Sequence, residues 1–141
     1  MKPLATGDWP RAAGGGMSEI RSFEDLQAWK LSVSLTTRVY RATAAFPSDE
    51  RFGLVSQMRR SAVAVPSNIA EGWGRGQTRD YARFIRVARG SAYELQTQLL
   101  ISSELGFVAA VDFEDLMSDV QQVGRVVSGL LRSIEAKLTE R

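Results

Sequence analysis

One stretch constrains the fold of this chain more than any other: Gln57 to Gly76, QMRRSAVAVPSNIAEGWGRG, joins paired arginines, small apolar residues around an internal proline, and a glycine-rich exit. Within Arg51 to Ala70, the residues Leu54, Met58, Ala62, Val65 and Ile69 recur at three- and four-residue spacing, which aligns them on one face of an α-helix. Ser48 is placed to cap that helix, and Asp49 and Glu50 fall in its first turn, where the helix dipole favours negative charge. Pro66 has no N–H for the Ala62 carbonyl and its ring crowds that oxygen, so the pattern predicts a helix bent at Pro66, not ended there. Ser61, Ala62, Ala64, Ser67 and Ala70 keep side-chain bulk low near the proline, which lets a neighbouring helix axis come close. Gly72, Gly74 and Gly76 read as the stop.

The same periodicity recurs on both sides of this segment. A first helix is expected from Ser22, paired with Asp25 as a capping box, to about Ala45. It carries two apolar stripes: Leu26, Trp29, Val33 and Tyr40 on one side, and Ala28, Leu31, Leu35, Val39 and Ala42 roughly 180° away at about 100° per residue. The first stripe is expected to face the bundle interior. The second can touch a neighbouring helix of the same chain or a second subunit, and its narrowness and opposite placement favour a subunit interface. A third helix runs from Thr78 to Leu105, with Tyr81, Phe84, Ala88, Leu95 and Leu99 inward and Gly106 at the left-handed C-terminal position. A fourth follows Asp112, which with Asp115 resembles a capping box, and reaches about Leu138 on a stripe that includes Phe113, Leu116, Val120, Val123, Val127, Leu131 and Ile134. Short connections between helices of similar length predict an all-α, antiparallel up-down-up-down four-helix bundle over 22–141. No strand alternation or internal repeat competes. Residues 1–21, with Pro3, Gly7, Pro10 and Gly14 to Gly16, show no helical period and are expected to form a flexible extension, with Met17 an alternative start and Trp9 the anchor if a partner subunit orders it.

The run QMRRSAVAVPSNIAEGWGR, the preceding Phe46-Pro47, Glu50 and Gly53-Leu54, and the later Ala88-Arg89-Gly90-Ser91 with Glu94-Leu95 resemble a family of bacterial four-helix-bundle proteins. That family includes the intervening-sequence proteins encoded inside large-subunit ribosomal RNA genes and is related to the accessory variability proteins of diversity-generating retroelements. The resemblance spans Phe23 to Leu138. It implies a bundle that assembles as a homopentamer, with a nucleic-acid or ribonucleoprotein partner in some relatives, and no established activity for this branch.

Composition narrows the chemistry. The 141 residues contain no cysteine and no histidine, which excludes disulfides, thiolate metal sites, cysteine nucleophiles and histidine-dependent triads. A non-enzymatic protein without cofactor or metal is the expectation. The net charge of +2 is unevenly spread. Between Arg51 and Arg89, eight arginines face only Glu71 and Asp80, a net of +6, whereas from Gly106 onward the acids exceed the bases by two. No apolar run approaches the roughly 20 residues that span a bilayer, and the N-terminus lacks a secretory apolar stretch, so a cytoplasmic location is expected.

Arg75, Arg79, Arg83, Arg86 and Arg89 are spaced by four, four, three and three residues, which puts those from Arg79 onward on one arc of the third helix. A guanidinium fork suits bidentate phosphate contact, so this row is the candidate nucleic-acid-binding surface, with Arg59 and Arg60 as additions from the second helix. Adjacent residues point about 100° apart, so only one of Arg59 and Arg60 can share a surface with the row. The competing reading is a solvated helix face on a purely structural or protein-docking module. Tyr81 reads as core and Trp73 as a lid on the core. Asn68 and Glu71 are the one pair that suggests hydrolysis; without a second convergent acid they read as structural, along with Pro66 and Gly72, Asn68 taking up the carbonyl freed by Pro66 and Glu71 holding an arginine. The segment Gly72 to Gly76 lacks a P-loop lysine and follows a helix, so it reads as a turn.

Overall fold

The computed structural model describes residues 20–140, an all-helical unit without strands among those residues. Four helices make the bundle: α1 (Gln27–Thr43), α2 (Leu54–Gly74), α3 (Thr78–Glu104) and α4 (Ala110–Thr139). α1 packs on α2 and α4, and α3 packs on the same two, while diagonal helices stay apart. The expected extension at 1–21, apart from its last two residues, and the expected anchor Trp9 lie outside the described residues.

Local chemistry accounts for the helix ends. Ser22 does form a capping box with Asp25: the serine hydroxyl accepts from the Glu24 N–H at 3.1 Å, and the Asp25 carboxylate accepts from the N–H groups of Arg21 and Ser22. The box caps a short 3-10 turn, Phe23–Asp25, and α1 starts only after Leu26. Ser48–Glu50 is likewise a separate 3-10 turn, so Ser48 does not cap α2. Glu50 does so instead, its Oε1 accepting from the Leu54 N–H at 3.2 Å. Gly72 does not end α2 but lies within it; the helix stops at Gly74 as expected, and the turn to α3 is made at Gly76, whose φ is +76°. Gly106, at φ +75°, closes α3 as expected, with the N–H of Gly106 bonded to the Ser103 carbonyl at 3.0 Å and that of Phe107 to the Ser102 carbonyl at 2.9 Å. α4 begins two residues before Asp112 behind Ala109, with no side-chain cap, so Asp112 serves as a first-turn acid.

α2 runs uninterrupted through Pro66. The carbonyl of Ala62 that Pro66 cannot satisfy receives the Thr36 hydroxyl from α1 at 3.0 Å, a group that also lies 2.7 Å from the Ser32 carbonyl and shares its one proton between them. Asn68, expected at that carbonyl, donates to Ala64 O at 2.7 Å. On the other side of α2, Gly72 lets α3 come close: a Cβ there would lie 2.8 Å from the Cβ of Phe84 and 3.1 Å from Cδ1 of Tyr81.

The assignment of the two stripes on α1 is corrected. Ala28, Leu35 and Val39 are only 2%, 2% and 1% exposed, enclosed by their own chain, and Leu31 and Ala42 are half-buried against the same core. They face inward and do not form a free subunit interface. Of the stripe expected inside, Leu26 is buried and Trp29 packs on the core, whereas Tyr40 is 43% exposed. This orientation is consistent with the polar partners of α1: with the Ala28–Val39 side inward, the Thr36 hydroxyl meets the Ala62 carbonyl and the Thr43 hydroxyl accepts from Arg59 of α2.

Two substitutions test this packing. Gly72→Ala places a methyl against Phe84 and is expected to destabilise the fold by about 1–3 kcal/mol in urea unfolding. Thr36→Val keeps the shape but strands the Ala62 carbonyl, at a cost of about 1–3 kcal/mol, whereas Thr36→Ser retains most of the stability.

Candidate polyanion interface

α3 carries the arginine row on its outer side, because Ala82, Ile85, Ala88, Ala92, Leu95 and Leu99 occupy the opposite, buried face. The row divides by partner. Arg75, just beyond α2, donates to Glu71 Oε1 at 2.7 Å and lies 4.8 Å over the Phe84 ring. Arg86 crosses to Glu135 of α4 at 3.0 Å. Arg83 is only 3.9 Å from Asp80, an outer-limit ion pair with the arginine side chain 66% exposed, and its guanidinium also sits 5.1 Å over Phe84. Among the described residues no hydrogen bond or ion pair engages Arg79 or Arg89. Arg79 is exposed and Arg89 half-buried.

Arg59 belongs to a different structure. Its Nε donates to the Thr43 hydroxyl at 2.9 Å, its Nη2 donates to the Tyr40 carbonyl at 3.2 Å, and the guanidinium lies 4.5 Å over the Tyr40 ring. A cation at the last carbonyls of α1 complements the helix dipole, so Arg59 ties α1 to α2. Arg60 is exposed and lines the groove between α1 and α2 with Arg59; none of the α3 row shares that groove.

The remaining candidates are structural. Glu71 holds Arg75, and Asn68 is committed to the helix backbone. Trp73 packs on the core edge-on to Tyr81, with ring centroids 6.1 Å apart. Burial pushes the Tyr81 phenol up from 10.0 to about 12. Among the described residues, no group of three or more metal-ligating side chains converges, and no helix is long and apolar enough to cross a membrane. A depression between the end of α1 and the start of α4 brings Arg38 and Arg41 opposite Asp112, Asp115 and Asp119, with Arg38 bonded to Asp119. Two arginines against three aspartates leave it a net charge of −1. Sequence reasoning missed the α1–α2 groove, where Tyr40 and Phe52 stand exposed at 43% and 88%; the pairing of Arg51 with Phe52 was the one available signal.

Four packed helices with a basic outer face along the third define a four-helix-bundle protein whose polar groups are arranged on its surface. The chain belongs to the family described as 23S rRNA-intervening sequence proteins, whose sequence model matches residues 24–129. A crystal structure of a protein of unknown function from the S23 ribosomal protein family of Bacteroides thetaiotaomicron is similar in fold, with a TM-score of 0.67 at 16% identity over 74% of this chain and 97% of that one. No curated protein matches. Neither description names an enzyme.

The Tyr81 shift has a sign that can be measured. Between about pH 10 and 12 the folded state holds a phenol proton that the unfolded chain has lost, so stability is intact below pH 10 and declines as pH rises through the folded value. Thermal melts across that range are expected to show this loss in the parent, and Tyr81→Phe to lack the corresponding part.

Proposed function

We propose that this protein is a non-enzymatic, cytoplasmic helical-bundle protein that binds RNA or DNA, or a ribonucleoprotein, through the phosphate backbone, using the arginines on the outer face of α3. The observation that carries the reading is the state of those guanidinium groups: Arg79 and Arg89 lack an acidic partner among the described residues, and Arg83 has only a distant one. A row of forks at helical spacing can meet successive phosphates without reading bases. Arg75, ahead of the row, and Arg86, within it, would exchange Glu71 and Glu135 for phosphate at small cost, since exposed ion pairs contribute about 0–1 kcal/mol. Arg60 lies outside this surface, and Arg59 is retained for the fold.

Self-association into a homo-oligomer, a pentamer by resemblance to related bundles, is part of the same proposal. The α1 stripe is not its interface. Val87, Ile101 and Leu105, exposed at 49%, 45% and 56%, lie on one flank of α3 and are the apolar residues better placed to meet another subunit. Repetition of the arginine row around a ring would raise avidity without any new contact.

The test is the salt dependence of binding to mixed RNA. Replacing Arg79 and Arg83 together with alanine leaves the Arg86–Glu135 pair in place and is expected to lower the slope of log affinity against log salt by about 1–2, with helicity unchanged. An unchanged slope removes the site. Light scattering that finds monomer alone across micromolar concentrations removes the assembly but leaves the site standing.

A further inference from the structure

We propose that the groove between α1 and α2 is a second binding site, one that docks an acidic amphipathic helix of a protein partner. The groove is lined by Tyr40, Phe52, Arg59, Arg60, Val63 and Ser67 among others, and no aspartate or glutamate lines it. Glu50, the half-buried acid of the preceding turn, is committed to the Leu54 N–H. Arg51 and Arg60 are exposed and, among the described residues, free of ion pairs, so the rim of the groove is cationic and complements an acidic partner.

Shape and spacing select a helix as the occupant. The surface is a strip of α2 and the turn before it, bordered by Tyr40 of α1, and Ser56, Arg60, Val63 and Ser67 follow one another along it at four-, three- and four-residue spacing, the repeat against which another helix packs. The serines keep that strip low, while Val63 at 39% exposure and Phe52 at 88% supply apolar contact that this chain leaves uncovered. Such a surface calls for an apolar ridge at three- and four-residue intervals with acids on its flanks.

A single-stranded nucleic acid fits less well. Stacking along a strand uses successive open rings, whereas Tyr40 carries the Arg59 guanidinium at 4.5 Å and Phe52, 88% exposed, is left as the single open ring of the groove. Arg59 is also tied to the end of α1, and the apolar part of the groove between the rings is aliphatic.

The experiment is a selection of displayed helical peptides, randomised on one face, against the full chain, with counter-selection on Arg60→Glu/Val63→Asp. Both positions are exposed, and circular dichroism verifies that the variant folds; a photo-crosslinker at Ser67 in the otherwise unchanged chain reports occupancy independently. The expected winners carry an apolar ridge flanked by Asp and Glu, crosslink at Ser67, lose at least about tenfold in affinity for the double variant, and bind the Arg79→Ala/Arg83→Ala protein normally. That last arm separates this site from the α3 surface. Three results would each overturn the proposal: winners that are basic or indifferent to the groove variant; oligouridylate binding that the groove variant abolishes; or no groove-dependent winners together with self-association lost in Val63→Asp, which would assign the groove to a second copy.

Discussion

The bundle is organised around a single backbone oxygen, the carbonyl of Ala62. Pro66 takes away its helical partner, and a buried carbonyl left unpaired would cost about as much as a substantial share of a small domain's stability. The Thr36 hydroxyl meets it from α1. The rotation of α1 that brings Thr36 to Ala62 is the one that carries Ala28, Leu35 and Val39 into the interior. Arg59 then fastens the other end of the same interface by donating to Thr43 and to the Tyr40 carbonyl. A proline inside a helix thus becomes a specification of how its neighbour docks.

The opposite side of α2 is governed by volume. Gly72 brings the backbone up to Tyr81 and Phe84, and this tight end of the α2–α3 interface fixes where α3 leaves the turn at Gly76. Close approach at the small residues leaves the larger side chains to fill the periphery. Trp73 therefore lies against Tyr81, and Phe84 is covered by the guanidinium groups of Arg75 and Arg83. The arginines at the start of α3 both shield an aromatic and present charge to solvent, which ties the basic surface to the packing beneath it.

Arginines that look alike in the sequence have three different fates. Arg59 is a fastening between helices. Arg75 and Arg86, and Arg83 at the outer limit of distance, sit in exposed ion pairs, where the free energy at stake is small. Arg51, Arg60, Arg79 and Arg89 have no acid partner among the described residues, and they lie on separate faces, two at the α1–α2 groove and two along α3. A +6 stretch of sequence is therefore not one patch but two.

What the sequence by itself determined was the class of fold, the span of each helix to within a few residues, the capping box at Ser22, the left-handed turn at Gly106, and the inward stripes of α2, α3 and α4. These follow from local periodicity and from backbone rules that act within a few residues. The orientation of α1 was not legible, because its two apolar stripes are nearly equivalent in hydrophobicity and differ only in what stands across from them. Nor was the continuation of α2 through Gly72, where packing against α3 outweighs the weak helix propensity of glycine. Only the tertiary structure decided which arginines are spent on the fold, which groove stays uncovered, and which hydroxyl satisfies Ala62, since each depends on residues that are distant in sequence and meet only when the helices dock.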